Sequence, residues 1–265
     1  MQKIRLDILL SERAMVDSRS QAQKLVMAGS VRVDGEVVIK PALKFADNVK
    51  ITIDFGPPYV SRGGQKLEAA LNLFEMNELN GKICVDVGAS TGGFTDCLLQ
   101  HGASRVYAID VGYGVLHWKI RNDARVVSME RTNARYVIGF PEEIQLVTVD
   151  ASFISLKVLL PVIKSWFTKP GGLVIALIKP QFEAGRKDVA RGEGVVRDRE
   201  IHKRVLEEIS NFASEGGFGI VGLMQSPLVG PKGNIEFLIY LNYTGITENN
   251  YQNKIEELYS NLEKK

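Results

Sequence analysis

Val85-Asp86-Val87-Gly88-Ala89-Ser90-Thr91-Gly92-Gly93-Phe94-Thr95 reads as a buried strand running into a glycine-rich turn that opens a helix. Glycine has no side chain, so the backbone amides of such a turn can come close to a nucleotide-like ligand. The spacing Gly88, Gly92, Gly93 departs from the dinucleotide fingerprint, which wants a glycine two residues after the first. That departure weighs against a nicotinamide dehydrogenase. A second strand, Val106-Tyr107-Ala108-Ile109-Asp110, ends in a carboxylate suited to a ribose diol. A purely structural strand-to-helix turn is the competing reading, and Asp110 counts against it.

Outward from this stretch, strand and helix alternate from residue 59 onward, the mark of a parallel sheet covered on both faces. Strands are expected over 83–87, 105–110, 125–129, 146–150, 173–178, 219–224 and 236–242, and helices over 65–76, 92–101, 154–168 and 197–215. Only a loop separates the last two strands, which predicts an antiparallel edge hairpin. Tyr251, Ile255, Leu258 and Leu262 share one face of a helix expected within 248–265.

The first 56 residues read as a separate small α+β domain. Leu6, Leu9, Leu10 and Ala14 have helical spacing within 5–15. Ser18 and Gln21 form a capping box for a second helix that Gly29 ends. Val31-Arg32-Val33-Asp34-Gly35-Glu36-Val37-Val38 is a hairpin around Asp-Gly, a further strand is expected over 49–55, and Gly56-Pro57-Pro58 punctuates the end. Residues 57–64 read as a linker and 65–265 as the second domain.

The net charge is only +2, with nine Lys or Arg against six Asp or Glu in residues 1–50. The local excess suits a phosphate-binding face without proving one. No apolar run approaches the ~20 residues that span a bilayer, and the first residues lack a signal-peptide pattern. Cys84 and Cys97 sit in apolar surroundings, and His101, His117 and His202 have no ligand spacing. A cytoplasmic, metal-free protein that acts as a monomer is expected.

Four polar residues fall at or beside the carboxyl edge of the sheet, where ligands bind in doubly wound folds. They are Asp150 in Val149-Asp150-Ala151-Ser152-Phe153, Lys179 in Ile178-Lys179-Pro180-Gln181-Phe182-Glu183, Glu236 in Asn234-Ile235-Glu236-Phe237, and Lys66 in Ser61-Arg62-Gly63-Gly64-Gln65-Lys66. A lysine after five apolar residues is hard to explain structurally, because buried ammonium groups need partners. Edge-strand charge is the bland reading of Glu236, and an amphipathic helix face that of Lys66.

The glycine turn with Asp110 resembles a class I S-adenosylmethionine methyltransferase, which implies an α/β, Rossmann-like seven-stranded sheet. The segment over 1–56 resembles the RNA-binding domain named after ribosomal protein S-four, on Ser18-Arg19-Ser20-Gln21-Ala22, Gly29, Val31-Arg32-Val33 and Asp34-Gly35. That resemblance implies RNA contacts from Arg19, Gln23, Lys24 and Arg32, against the reading of a solvated helix face; Arg62 is a further candidate phosphate contact. The Lys66, Asp150, Lys179, Glu236 tetrad resembles the FtsJ-type ribose 2′-O-methyltransferases, and nearly the whole chain is similar to the TlyA (haemolysin A) family of rRNA methyltransferases.

The family implies methylation of cytidine 2′-hydroxyls in rRNA of the small and large ribosomal subunits. It implies a catalytic set of Lys66, Asp150, Lys179 and Glu236, with Lys179 helping to deprotonate the hydroxyl. Cofactor contacts would come from Asp86, Gly88, Ser90, Thr91, Gly92, Gly93 and Phe94, with Asp110 on the ribose and Asn133 near the adenine. The Gly- and Arg-rich stretch over 183–199 reads either as a lid that meets RNA or as a solvated loop. The competing functions are a non-catalytic RNA-binding assembly factor and a membrane-active cytolysin; the intact tetrad opposes the first, and no sequence feature supports the second.

Overall fold

The computed structural model describes residues 3–246 and 251–263, and internal contacts divide the chain into Met1–Pro58 and Tyr59–Lys265. The smaller unit runs β1 (Lys3–Arg5), α1 (Leu6–Glu12), α2 (Arg19–Met27), β2 (Val31–Val33), β3 (Glu36–Val38), β4 (Lys44–Ala46) and β5 (Ile51–Ile53). Strand β2 is central, antiparallel to both β3 and β5, while β1 pairs with β4. Leu6, Leu9, Leu10, Ala22, Val26, Val31 and Val33 form its core.

The helix predicted over 5–15 starts only at Leu6, because Ile4 and Arg5 pair with Phe45 and Lys44 in a sheet too short to leave a periodic signature. The capping box is opened by one residue: Ser18 Oγ accepts from the Gln21 amide at 3.2 Å, but Gln21 Oε1 accepts from the Asp17 amide at 3.0 Å. The Asp-Gly turn is as expected, with φ of 50° at Asp34 and 91° at Gly35 between paired Val33 and Glu36.

The larger unit contains α3 (Gly63–Leu73), β6 (Ile83–Val87), α4 (Gly93–Gln100), β7 (Arg105–Ile109), α5 (Trp118–Arg121), β8 (Val126–Met129), β9 (Leu146–Val149), α6 (Leu156–Trp166), β10 (Leu173–Ile178), α7 (Pro180–Glu183), α8 (Arg186–Arg191), α9 (Arg199–Glu215), β11 (Phe218–Gln225), β12 (Phe237–Tyr243) and α10 (Tyr251–Glu263). Its seven strands lie in the order β11-β12-β10-β9-β6-β7-β8. Strands β6 to β10 pair in parallel, and β12 runs antiparallel between β10 and β11.

Because strand side chains alternate between faces, one face gathers Val85, Val87, Val147, Val149 and Val174 with residues of α6, α9 and α10. The other gathers Cys84, Val106, Leu146 and Ile175 with α3 and α4. Ile255 and Leu258 of α10 are buried in the first cluster; the ends of the segment expected to be helical, 248–250 and 264–265, lie outside the described residues. The stretch over 183–199, expected to be a loop, holds the short helix α8, with the Arg186 and Arg191 side chains outside the described part. Chain order reverses between β6 and β9, the switch point at which doubly wound sheets leave a crevice.

Candidate active site

The crevice holds two adjoining cavities. One, of about 330 Å³, is lined by Lys66, Asp150, Lys179 and Glu236 together with Arg62, Thr91, Gly93 and Phe94. The other, of about 480 Å³, is lined by Asp110, Asn133, Val111, Ile109 and Phe153. Gly88, Ser90, Asp150 and Ser152 line both.

The four tetrad residues form two ion pairs, Lys66–Glu236 buried and Lys179–Asp150 half-buried on its carboxylate side. Lys179 Nζ lies 2.6 Å from Asp150 Oδ1 and donates to Ser152 Oγ at 3.1 Å. Lys66 Nζ donates to Glu236 Oε2 at 2.6 Å. Topology explains the convergence. Asp150 and Lys179 follow the parallel neighbours β9 and β10, whereas Glu236 precedes the antiparallel β12, so all three reach one sheet edge. Ile178 pairs with Phe237, which sets Lys179 beside Glu236.

Lys66 arrives from the first turns of α3, which press on α4 at Gly93. A Cβ on Gly93 would collide with Ser61 Oγ and come within 2.9 Å of the Gly64 nitrogen. Glycine is therefore required there for helix packing. At Gly88, φ is 82° and a Cβ would lie 2.8 Å from the Asp150 carbonyl oxygen, so only glycine lets the turn pass so close to β9.

The wall of the larger cavity is preorganised. Asp110 accepts from the Ser90 amide at 2.8 Å through Oδ2 and from the Gly112 amide at 2.7 Å through Oδ1. Ser90 adopts a φ of 50°, which aims its amide at that carboxylate. Each oxygen keeps a further lone pair for a diol. Asn133 Oδ1 caps a short turn through the Arg135 amide at 3.1 Å, leaving its amide NH₂ to the cavity. A glycine cradle, a carboxylate fixed by two amides and a carboxamide suit an adenosine moiety.

Not every expected cofactor residue reaches these cavities. The Asp86 side chain is fully buried, accepting from Thr95 Oγ1 at 2.7 Å, and lines neither cavity. Gly92 also lines neither; it faces Leu116 and Ile120. Both were expected to touch cofactor, and the strand's alternation turns Asp86 toward α4 instead. Thr91, Gly93 and Phe94 line the tetrad cavity but not the larger one.

Sequence reasoning passed over four residues. Ser152 is a second partner of Lys179, and Gln181 Nε2 donates to Glu236 Oε1 at 3.4 Å. Phe153 is 91 % exposed, has a φ of 63° and packs on Phe182 with ring centroids 4.9 Å apart. A large aromatic so exposed at the wall of the larger cavity is an offered surface. The fourth is Arg5 in the smaller unit, where Arg5, Arg19 and Gln23 all donate to the buried Asp7 carboxylate. These donors hold the Asp7 carboxyl well below the usual carboxylate range, the Arg5 hydrogen bond contributing most. Lys24 and Arg32 are exposed and stand outside that cluster. Elsewhere, Glu183 accepts from Ser155 Oγ at 2.5 Å and from the Leu156 amide at 2.8 Å, and burial raises its pKa.

Among the described residues no helix is long and apolar enough to cross a membrane, and no three His, Cys, Asp or Glu are grouped as a metal requires.

Comparison with known proteins matches residues 59–243 to the FtsJ-like methyltransferase family and residues 4–48 to the S4 domain. The chain is 44% identical over 245 residues to the 16S/23S rRNA (cytidine-2′-O)-methyltransferase TlyA of Mycobacterium tuberculosis, covering 90% of each chain. It is 45% identical over 242 residues to Hemolysin A of Brachyspira hyodysenteriae, covering 89% of this chain and 99% of that one. Among solved structures it matches the "Putative hemolysin from Streptococcus thermophilus" with a TM-score of 0.72 at 42% identity, over 100% of this chain and 98% of that chain.

Proposed function

The chain belongs to the FtsJ-like methyltransferase family, and on that premise we propose that it methylates the ribose 2′-hydroxyl of cytidine in 16S or 23S rRNA, using S-adenosylmethionine. The observation that carries this reading is the pair of lysine–carboxylate contacts, both lysines buried, in a cavity that adjoins the adenosine-shaped one. The relative from M. tuberculosis, named for this reaction, supports the substrate.

S-adenosylmethionine supplies an electrophilic methyl group on a sulfonium. The protein's part is to seat the attacking hydroxyl in line with that methyl, and such positioning accounts for much of a displacement's acceleration. Lys179, set by Asp150 and Ser152 and carrying a neutral amine when the hydroxyl arrives, takes up the 2′-hydroxyl proton as the new oxygen–carbon bond forms and the methyl's bond to sulfur breaks. Lys66 and Glu236 orient the hydroxyl, and positive charge on that side stabilises the negative charge developing on oxygen. Gly88, Ser90, Asp110 and Asn133 hold the adenosine part. Phe153 offers a ring against which an unstacked base can rest.

In the smaller unit, Arg5, Arg19 and Gln23 hold their side chains together on Asp7 and present a basic surface to folded rRNA, with Lys24 and Arg32 adding phosphate contacts. The enzyme works in the cytoplasm, where ribosomal subunits are assembled.

The test is transfer of label from S-adenosylmethionine to unmethylated small and large ribosomal subunits, with wild type beside Lys179→Ala. Label on cytidine ribose from wild type alone is the expected result. No label on either subunit, with cofactor still bound, would overturn the substrate; no cofactor binding would overturn the enzyme.

A further inference from the structure

Asp86 is the one acidic side chain of the glycine-turn stretch, and it is fully buried. Among the described residues no lysine or arginine pairs with it. Its side-chain partners are two hydroxyls from different elements, Thr95 Oγ1 on α4 at 2.7 Å from Oδ2 and Thr148 Oγ1 on β9 at 3.2 Å from Oδ1, and the Thr95 backbone amide donates to it as well. Thr148 Oγ1 also lies 3.4 Å from the Val85 carbonyl oxygen.

The protons can be counted. A threonine hydroxyl has one hydrogen to give. If Asp86 were ionised, the Thr148 hydrogen would face two acceptors, Asp86 Oδ1 and the Val85 carbonyl, and could serve one of them. A negative charge would also stand in a dry site without a cation, which is costly. With a proton on Oδ1 the chain closes: Oδ1–H donates to Thr148 Oγ1, whose own hydrogen goes to the Val85 carbonyl, while Thr95 donates to Oδ2.

We propose that Asp86 is held as a neutral carboxylic acid and acts as a positioning residue for the cofactor turn, its proton joining β6, α4 and β9. The proposal rests on the methyltransferase reading for what the turn binds, but not for the proton itself. Asp86 and Thr95 flank the Gly88–Gly93 turn, so their hydrogen bond sets the separation of its two ends. Thr148 stands two residues before Asp150, so the same proton couples the turn to the strand that carries a tetrad carboxylate. Loss of the proton loosens both.

Burial pushes the Asp86 carboxyl up to about 7, which places the change near neutrality. The titratable groups that face it are Cys84 on its own strand, Cys97 on α4 and Asp150 after β9. Burial pushes both thiols up to about 12, so they stay neutral over this range. Asp150, paired with Lys179, is the group whose charge opposes ionisation of Asp86. Over this range the folded state keeps a proton that the unfolded chain has lost, so the contribution to stability falls as pH rises from about 4 toward about 7 and is flat above.

The experiment compares wild type with Asp86→Asn, whose amide gives the same hydrogen to Thr148 and accepts from Thr95 without titrating. Infrared difference spectra between the two proteins should show the carbonyl stretch of a protonated acid at about pH 5.5 that fades by about pH 8.5. Calorimetry with S-adenosylhomocysteine should give the Asp86→Asn variant an affinity within about threefold of wild type at the lower pH, and a smaller decline than wild type at the higher. Absence of the acid band at the lower pH would overturn the proposal, as would a loss of affinity above about tenfold in Asp86→Asn with unchanged unfolding. If wild type bound no S-adenosylhomocysteine at all, the cofactor reading would fail, and the infrared band would still decide the proton.

Discussion

Replacing Glu236 with leucine leaves the Lys66 ammonium in a site where it is 8 % exposed. Its carboxylate partner, 2 % exposed, lies 2.6 Å away. At that distance and an effective dielectric of ~20, the attraction between unit charges is about 6 kcal/mol. Much of it is spent on desolvating both groups, so the net worth of the pair is far smaller. Breaking the pair is a different matter, because the desolvation cost of the survivor remains; such single removals cost about 3–5 kcal/mol.

Glu236→Leu and Lys66→Met are each expected to lose stability in that range, whereas the double variant, apolar on both sides, should recover to within about 1 kcal/mol of wild type. Urea unfolding followed by tryptophan fluorescence is the assay. Trp118 and Trp166 are the only tryptophans, and both belong to the larger unit, so the signal isolates its transition. Additive losses in the double variant, or a cost below about 1 kcal/mol for Glu236→Leu, would refute the buried pairing.

Gly88→Ala places a methyl against the Asp150 carbonyl oxygen at a φ of 82°; it should fold with a loss of about 1–2 kcal/mol and bind S-adenosylhomocysteine at least about tenfold more weakly by calorimetry. Ser152→Ala removes a hydroxyl partner from Lys179 while Asp150 stays; kcat for methyl transfer should fall about tenfold with KM for S-adenosylmethionine unchanged, since the effect is on orientation. Asp7→Asn frees the Arg5, Arg19 and Gln23 side chains from their shared acceptor and should weaken binding to an rRNA fragment about tenfold in gel-shift titrations. Because the Asp7 carboxyl sits far below its usual range, its stabilisation is full above about pH 4 and is lost as pH falls further, which circular dichroism of wild type and Asp7→Asn across acid pH will show.

The larger unit was legible because its signals are local. Apolar runs of strand length ending in Asp110, Asp150 and Lys179 announce a parallel sheet, and the fold rule then places those ends on one edge. The grouping of the tetrad could be expected from resemblance, but its division into Lys66–Glu236 and Lys179–Asp150 could not. The first pair joins residues 170 positions apart, and only the insertion of β12 beside β10 brings them together. Asp86 shows the opposite limit. Its neighbours in sequence suggested a ligand contact, yet strand alternation points it at Thr95, and its pairing with Thr148 spans two strands. In the smaller unit, strands of three residues such as β1 and β4 are too short for any period to register. Gln21 reached Asp17 rather than Ser18, a one-residue difference that side-chain reach permits and pattern cannot resolve.

Strand β12 has a consequence for how the protein is made. It is a late strand in the chain, yet it occupies an inner place in the sheet, between β10 and β11. Until it has left the ribosome and entered that slot, the apolar Leu173–Ile178 of β10 is an open edge, the kind of surface that pairs with the wrong neighbour. Glu236, directly before β12, is likewise missing. A chain that has not yet reached Glu236 and β12 therefore lacks a tetrad residue at the same time as it lacks a closed sheet. Closure of the sheet and assembly of the tetrad wait for one and the same segment, Glu236 with β12.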